Sequence, residues 1–273
     1  MKFSVVTISF NQAPFIEKAI RSVLEQDVDV EYIIVDPGST DGSREIIEKY
    51  SQHIDHIVFE PDKGPIDGLN KGFKHATGDI YACMNSDDFY LPGGLKRAEK
   101  VISNHPAAGA WTGAGVIVDK AGKVVKPCYS GIFSPRRYAL NYSVAIHQST
   151  FYRQQAYAEV NGFNRENKAS WDGEILYSMM KQGYQIHRTF ESIGAFRIYD
   201  ESLTGSGVLT QKLKEDYSRL RADLDESHNP AINRAALHLN SKITRAIADP
   251  SLFLRNLQTR VLRRSFKSEM QSN

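Results

Sequence analysis

Two cysteines, Cys83 and Cys128, are too few for a disulfide framework in a chain of 273 residues, so their number requires no oxidising compartment. No stretch approaches the roughly 20 consecutive apolar residues that a membrane-crossing helix needs. The opening MKFSVVTISFNQ has one lysine and an apolar stretch broken by Ser and Thr, too short and too polar for a signal peptide. An excess of one charge is also missing: 34 Lys and Arg face 32 Asp and Glu, which excludes a polycation built to hold nucleic acid. Two phosphate-binding signatures are absent as well. No G-x-G-x-x-G follows a strand-like run, which disfavours a nicotinamide dehydrogenase, and no G-x-x-x-x-G-K-[ST] occurs, which disfavours a P-loop NTPase. Secreted, integral-membrane, fibrous and disordered classes are set aside, and a soluble cytoplasmic protein is expected.

What is present is a globular composition, 41% hydrophobic and 24% charged, in a chain long enough for one large α/β domain or a domain with an appendage. The first half alternates strand and helix signals. FSVVTISF (3–10) is β-branched and continuous, the pattern of a strand buried on both faces. Pro14 then suits a first helical turn, and Phe15, Ile16, Ala19, Ile20, Val23 and Leu24 recur at helical spacing. EYIIV (31–35), the segment 54–59 and DIYACM (79–84) give three further strands, separated by helices near 46–47 and 65–76 and followed by one from about 94 to 103. Single helices between strands imply right-handed parallel βαβ units. Beyond residue 109 a hairpin is expected from 114–119 and 123–126, then a helix over 172–182 and an almost wholly helical C-terminal part after Gly207.

In such sheets ligands bind beyond the carboxyl ends of the strands, and two acidic clusters fall there. Asn85-Ser86-Asp87-Asp88 places two adjacent carboxylates after a buried strand. They repel unless a cation or hydrogen bonds compensate, and a hard ion such as Mg²⁺ or Mn²⁺ suits them. Taken alone, the same tetrad is equally a solvated acidic turn. Asp36-Pro37-Gly38-Ser39-Thr40-Asp41-Gly42-Ser43 makes Asp36 a candidate acceptor for a nucleotide base or ribose, or else a plain strand–helix turn with a capping residue.

Taken together, SVVTISFN, IIVDPGSTDGS, DKGPIDGLNKGFKHATGDI and NSDDFYLPGGL resemble, in order and spacing, the family 2 glycosyltransferases with a GT-A fold, over about residues 1–205. The DKG…NKG version is similar to bacterial enzymes that build capsule, O-antigen or exopolysaccharide. The resemblance implies a Rossmann-like, mostly parallel sheet flanked by helices. It also implies inverting sugar transfer from a nucleotide-sugar, a UDP-sugar first, to a saccharide or lipid-linked acceptor, assisted by Mn²⁺ or Mg²⁺. By the same resemblance Ser9, Phe10, Asp36 and Asp87 contact the donor nucleotide, Asp67, Asn70 and Lys71 border the donor, and Asp88 lies nearest the metal. Inversion is one displacement and needs a carboxylate to take the acceptor's proton. In the ASWDGEIL segment Asp172 matches that base and Glu174 is the fallback, while Ser170 or Asp172 also reads as a helix cap. His147 and Gln148 in HQSTF resemble the wall of the donor-sugar pocket, and Trp171 is placed to stack on a sugar; read alone, His147 is a core histidine and Trp171 a half-buried ring.

Three positions depart from the family's pattern. Pro37 and Asn85 stand where relatives often carry Asp, and Tyr199 where they often carry a His near the diphosphate. They bear on metal affinity and keep a catalytically weak nucleotide-binding scaffold in view. A sugar-phosphate nucleotidyltransferase is the other alternative, against which SFNQAPF stands where a Gly-rich basic loop is expected. The expected organisation is a catalytic domain over 1–205, nucleotide-binding to 105 and acceptor-side from 106, then a helical extension over 206–273. In that extension seven basic residues between 242 and 273 face two acidic ones and interleave with Leu252, Phe253, Leu257, Val261, Leu262 and Phe266. Such a basic amphipathic helix suits either an anionic membrane surface, peripheral on the inner face of the cell membrane, or packing on protein, including a second subunit.

Overall fold

Phe3–Ile8 (β1), Val30–Val35 (β2), His56–Val58 (β3) and Ile80–Asn85 (β4) pair in parallel in the order β3-β2-β1-β4, with Phe3 beside Val30 and Ile80. The computed structural model describes residues 1–202 and 206–227. These strands read as unbroken apolar runs because both faces are covered. On one face lie Ala13–Leu24 (α1), Ser43–Lys49 (α2) and Gly94–Asn104 (α4), whose Ile16, Ile20, Ile47 and Leu95 cluster with Phe3, Val5, Ile34 and Met84. On the other lie Pro65–Phe73 (α3), Gln154–Glu159 (α6) and Trp171–Lys181 (α7), whose Leu69, Phe73, Tyr157, Ile175 and Leu176 meet Val6, Ile33, Val35 and Cys83. Helix α3 rides so close to β1 that a Cβ on Gly72 would lie 2.4 Å from Val6 Cγ1.

The remaining strands make the sheet mixed. Thr150–Arg153 (β8) is antiparallel between β4 and Ala110–Val118 (β6). Strand β6 runs parallel to Ile186–Arg197 (β9), which pairs antiparallel with Phe89–Tyr90 (β5), and Val124–Tyr129 (β7) closes the expected hairpin on β6. The parallel order is thus confined to β1–β4 and the β6–β9 pair, and the whole is a nine-stranded sheet. Pro135–Ala139 (α5) and a 3₁₀ turn over His147–Ser149 lie in the connections.

Thr210–Ser227 (α8), expected in the extension, packs on the sheet-bearing body, where Leu220 and Leu224 are buried against Tyr138 and Ala139 of α5 and Tyr177 of α7. The basic amphipathic segment expected between 242 and 273 lies outside the described residues. Among the described residues no helix is long and apolar enough to cross a membrane.

Candidate active site

The carboxyl ends of the four parallel strands open into one cavity of about 830 Å³. Ser9 and Phe10 follow β1, Pro37 follows β2, Pro61 and Asp62 follow β3, and Asn85, Ser86 and Asp87 end β4; all line it. The rest of the lining includes 144–148, Trp171 and Asp172 at the start of α7, Phe196 and Arg197 at the end of β9, and Tyr199 just after it.

Of the expected donor residues, Asp36 stands behind the lining rather than in it. It is fully buried, and its carboxylate accepts from the N–H groups of Gly38 (3.0 Å) and Ser39 (2.8 Å), the Ser39 hydroxyl (2.5 Å) and Arg44 Nε (3.1 Å). Burial pushes this carboxyl up, but the bonds from Ser39, Gly38 and Arg44 outweigh it and hold the group below its ordinary range. Asp36 therefore builds the turn that presents Pro37.

The acidic pair after β4 divides its work. Asp87 faces the cavity, with the Tyr199 hydroxyl 3.3 Å from Oδ2. Asp88, expected nearest the metal, is turned inward and 1% exposed, accepting from Arg197 N (2.8 Å), Asn85 Nδ2 (3.1 Å) and Gln148 Nε2. Its inward turn follows from β9, whose last residue offers an N–H at the sheet edge. Burial raises both carboxyls, and Asp88 is raised further by the charge of Asp87. Tyr199, in the place where a histidine was expected, is pushed up to about 12 by burial and by Asp87. Its hydroxyl also lies 3.4 Å from Gln12 Oε1.

Asp67 and Lys71 do not reach the cavity wall. Asp67 accepts from Lys63 N (3.2 Å) and pairs with Lys71 (3.9 Å) and Arg165 (3.4 Å), and Lys71 bonds the carbonyl of Pro61. Both stabilise the turn that carries Asp62. Asn70 is held by Phe163 and Tyr157 in a separate cavity of about 650 Å³ on the α3–α6–α7 face.

His147 and Gln148 line the cavity, with Gln148 tied to Asp88. His147 is buried, meets the Trp171 ring edge-on at 4.6 Å, and has no hydrogen-bond partner on either ring nitrogen among the described residues. Burial lowers its pKa to about 3, so it is a neutral imidazole. Ser9 Oγ is likewise buried without a partner. Buried polar atoms are nearly always bonded, and these two residues of the lining are exceptions among the described residues.

Asp172 and Glu174, two residues apart, have opposite surroundings. Glu174 turns away into the smaller cavity, clamped by Arg219 Nη1 (2.8 Å) and by Asn164 and Asn167. Those bonds, Arg219 first, overcome its burial and lower its pKa, which leaves it a structural carboxylate and no fallback base. Asp172 is partly buried in the main cavity wall, and among the described residues its carboxylate accepts one hydrogen bond, from the Gly173 N–H to Oδ1 (2.9 Å). Burial raises it from the usual 3.8 to about 6. Gly173 between them has no alternative: a Cβ there would lie 2.2 Å from the Tyr138 ring, whose hydroxyl donates to the Ser170 carbonyl (2.7 Å).

Among the lining residues not singled out from the sequence, Asp62 and Arg197 bear most on the chemistry. Asp62, raised by burial, follows β3 as Pro37 follows β2, and the rule about strand ends applies to it equally. Arg197 ends β9, a strand whose mixed composition hid it. It is the only Lys or Arg in the lining among the described residues, and its guanidinium bonds the carbonyls of Asp87 (2.7 Å), Asp119 (3.2 Å) and Lys120 (2.7 Å). Asp62, Asp87, Asp172 and Glu201 line the same cavity, so acidic residues outnumber basic ones in the lining among the described residues.

The sequence profile described as "Glycosyl transferase family 2" matches residues 4–160, through β1–β4 and on to β8 and α6. The chain belongs to glycosyltransferase family 2. It is 26% identical over 211 residues to a putative teichuronic acid biosynthesis glycosyltransferase, TuaG, of Bacillus subtilis, covering 74% of this chain and 81% of that one. Other curated relatives are spanned less completely, from 19% to 66% of their own length. The fold is that of two solved members with the GT-A architecture. Staphylococcus aureus TarS 1–349 with UDP-GlcNAc superposes with a TM-score of 0.58 at 21% identity, covering 76% of this chain and 61% of that one. The mannosyltransferase PcManGT of Pyrobaculum calidifontis, with GDP-Man and Mn²⁺, gives 0.63 at 18% identity, covering 92% and 73%. Asp172, α7 and α8 lie beyond the matched stretch of the family 2 profile.

Proposed function

We propose that this family 2 member transfers a sugar, with inversion, from a nucleotide-sugar to a hydroxyl of a saccharide or lipid-linked saccharide acceptor, in the making of a surface polysaccharide. The observation that carries this reading is the placement of Asp172: one under-bonded carboxylate, raised to about 6, in the same cavity as the ends of β1–β4. In one displacement the acceptor oxygen bonds the anomeric carbon, the bond from that carbon to the diphosphate breaks, and the hydroxyl proton passes to Asp172. A base with a pKa near 6 is ionised at neutral pH yet basic enough to draw that proton. His147, neutral and unpartnered, offers a donor and an acceptor to the sugar, and Trp171 offers a ring edge beside it.

Charge supports a cation requirement. Among the described residues the lining's one Lys or Arg, Arg197, is bonded to backbone carbonyls, whereas Asp87 presents a carboxylate from a buried acidic pair. A hard divalent ion, if bound here, would be held on the protein side by Asp87, while Asp88 keeps Gln148 and the end of β9 in place. When bound, such an ion neutralises charge on the departing diphosphate. The Mn²⁺ bound by PcManGT agrees with this reading, and the UDP-GlcNAc of TarS favours a UDP-linked donor. TuaG's role in teichuronic acid synthesis supports a surface polymer as the product.

The test is a panel of UDP-, GDP- and dTDP-sugars incubated with the chain and Mn²⁺, Mg²⁺ or EDTA, scored by release of nucleoside diphosphate. Release from one nucleotide class, abolished by EDTA, is expected. Equal release with EDTA removes the cation, and no release from any donor removes the reading.

A further inference from the structure

The loop that enters α7 is bonded by a helix that follows it by more than forty residues. Asp216 of α8, 2% exposed, accepts from the N–H groups of Lys168 (3.2 Å), Ala169 (2.9 Å) and Ser170 (3.2 Å), and from the Ser170 hydroxyl at 3.3 Å. Ser170 precedes α7 without capping it through its own side chain. One turn further along α8, Arg219 grips Glu174 and lies 3.8 Å from Asp216 Oδ1. The chain is thus held at 168–170 and again at 174, and Asp172 sits between the two grips. Three backbone N–H groups and a guanidinium converge on one buried carboxylate, which makes the arrangement stiff.

We propose that Asp216 is a positioning residue for the transfer reaction: it sets the angle at which the chain enters α7, and so where the Asp172 carboxylate stands in the cavity wall. This rests on the reading of Asp172 as the base. A base must come within hydrogen-bond reach of the attacking hydroxyl, and a displacement near 1 Å can lower a rate about 100-fold. The far end of α7 supplies a control. There Asp223 of α8 accepts from Lys181 Nζ (2.8 Å) and from the Tyr177 hydroxyl, the same pair of helices joined by the same chemistry but away from Asp172.

The experiment compares Asp216→Ala, Asp216→Asn, Asp223→Asn and Asp172→Asn in the full chain. It measures melting temperature, its shift with UDP and Mn²⁺, and kcat and KM on the panel donor that releases nucleoside diphosphate fastest. Asp216→Ala is expected to lower kcat tenfold or more at temperatures where it is folded, with the nucleotide-induced shift unchanged. Asp216→Asn, which keeps one acceptor oxygen, is expected to recover part of that loss. Asp223→Asn is expected to melt earlier while keeping kcat within twofold. If Asp216→Ala does not fold, Asp216→Asn decides: a lower kcat at unchanged KM supports the proposal, and normal kcat overturns it. An equal kcat loss in Asp223→Asn also overturns it, since the effect would then be general loosening of α8. Normal turnover by Asp172→Asn sinks the base reading; an inactive Asp172→Asn beside a normal Asp216→Ala sinks only the positioning role.

Discussion

Asp36 stands behind the lining of the cavity and Asp172 in its wall, and among the described residues the first accepts four hydrogen bonds and the second one. The four come from residues within eight positions of Asp36, so the turn after β2 is complete in itself. The start of α7 is organised instead by Tyr138, Asp216 and Arg219, from α5 and α8. A saturated carboxylate shapes backbone and is held below its ordinary pKa; an unsaturated one in the cavity wall is raised and remains available for chemistry.

Substitutions that remove one kind of carboxylate and spare the other sharpen that contrast. The largest effect is expected from Asp172→Asn: turnover falls roughly 100- to 10,000-fold, the range for loss of a general base, while the melting shift with UDP and Mn²⁺ stays as in the parent. Near-normal turnover would erase the distinction between the two sites. Asp36→Ala should act on the fold instead, leaving Arg44 and two N–H groups without their acceptor, at a cost of about 3 kcal/mol. Chemical denaturation measures this, and an unchanged midpoint would show that the turn does not need the carboxylate. Next comes pH. Turnover should be roughly tenfold below its plateau one pH unit beneath the Asp172 pKa of about 6, since the base is then protonated.

Stability moves the other way. A carboxyl raised in the folded state favours folding when neutral, and that advantage disappears as pH rises through about 6. Asp172→Asn should therefore be the more stable protein at pH 8, by on the order of 2 kcal/mol, and equal to the parent below pH ~4. Equal melting at both values would mean that Asp172 is not raised. The smallest effect is expected from His147→Ala, a KM increase of about tenfold for the donor sugar with UDP affinity unchanged, since a neutral imidazole contributes one or two uncharged bonds. A loss of UDP affinity would move His147 to the nucleotide end of the cavity.

The first half of the fold was legible because parallel strands buried on both faces leave unbroken apolar runs in β1, β2 and β4. Strand β9 was not, because IHRTFESIG mixes charge with apolar residues and its register against β6 shifts twice, between Thr112 and Ala114 and between Ala114 and Gly115. Four-residue β8 and two-residue β5 are too short to carry a period. At the site, the rule of strand ends led to Asp36, Asp87 and Asp88, the family resemblance led to Ser9 and Phe10, and the same rule of strand ends reaches Asp62. Which of two adjacent carboxylates faces inward was beyond it. Asp88 is turned by the N–H of Arg197, 109 positions away, and Glu174 by Arg219, 45 positions away. Asp216 carries no sequence signal, since most of its hydrogen bonds come from backbone N–H groups more than forty positions away.

The close approach of the Tyr138 ring to Gly173 ties two distant positions into one evolutionary unit. Drift at 173 to any larger residue should be tolerated only alongside a shrunken residue at 138, so the two columns should change together among descendants that keep the aspartate. A lineage with a bulky 173 and an intact tyrosine would have its α7 seated elsewhere.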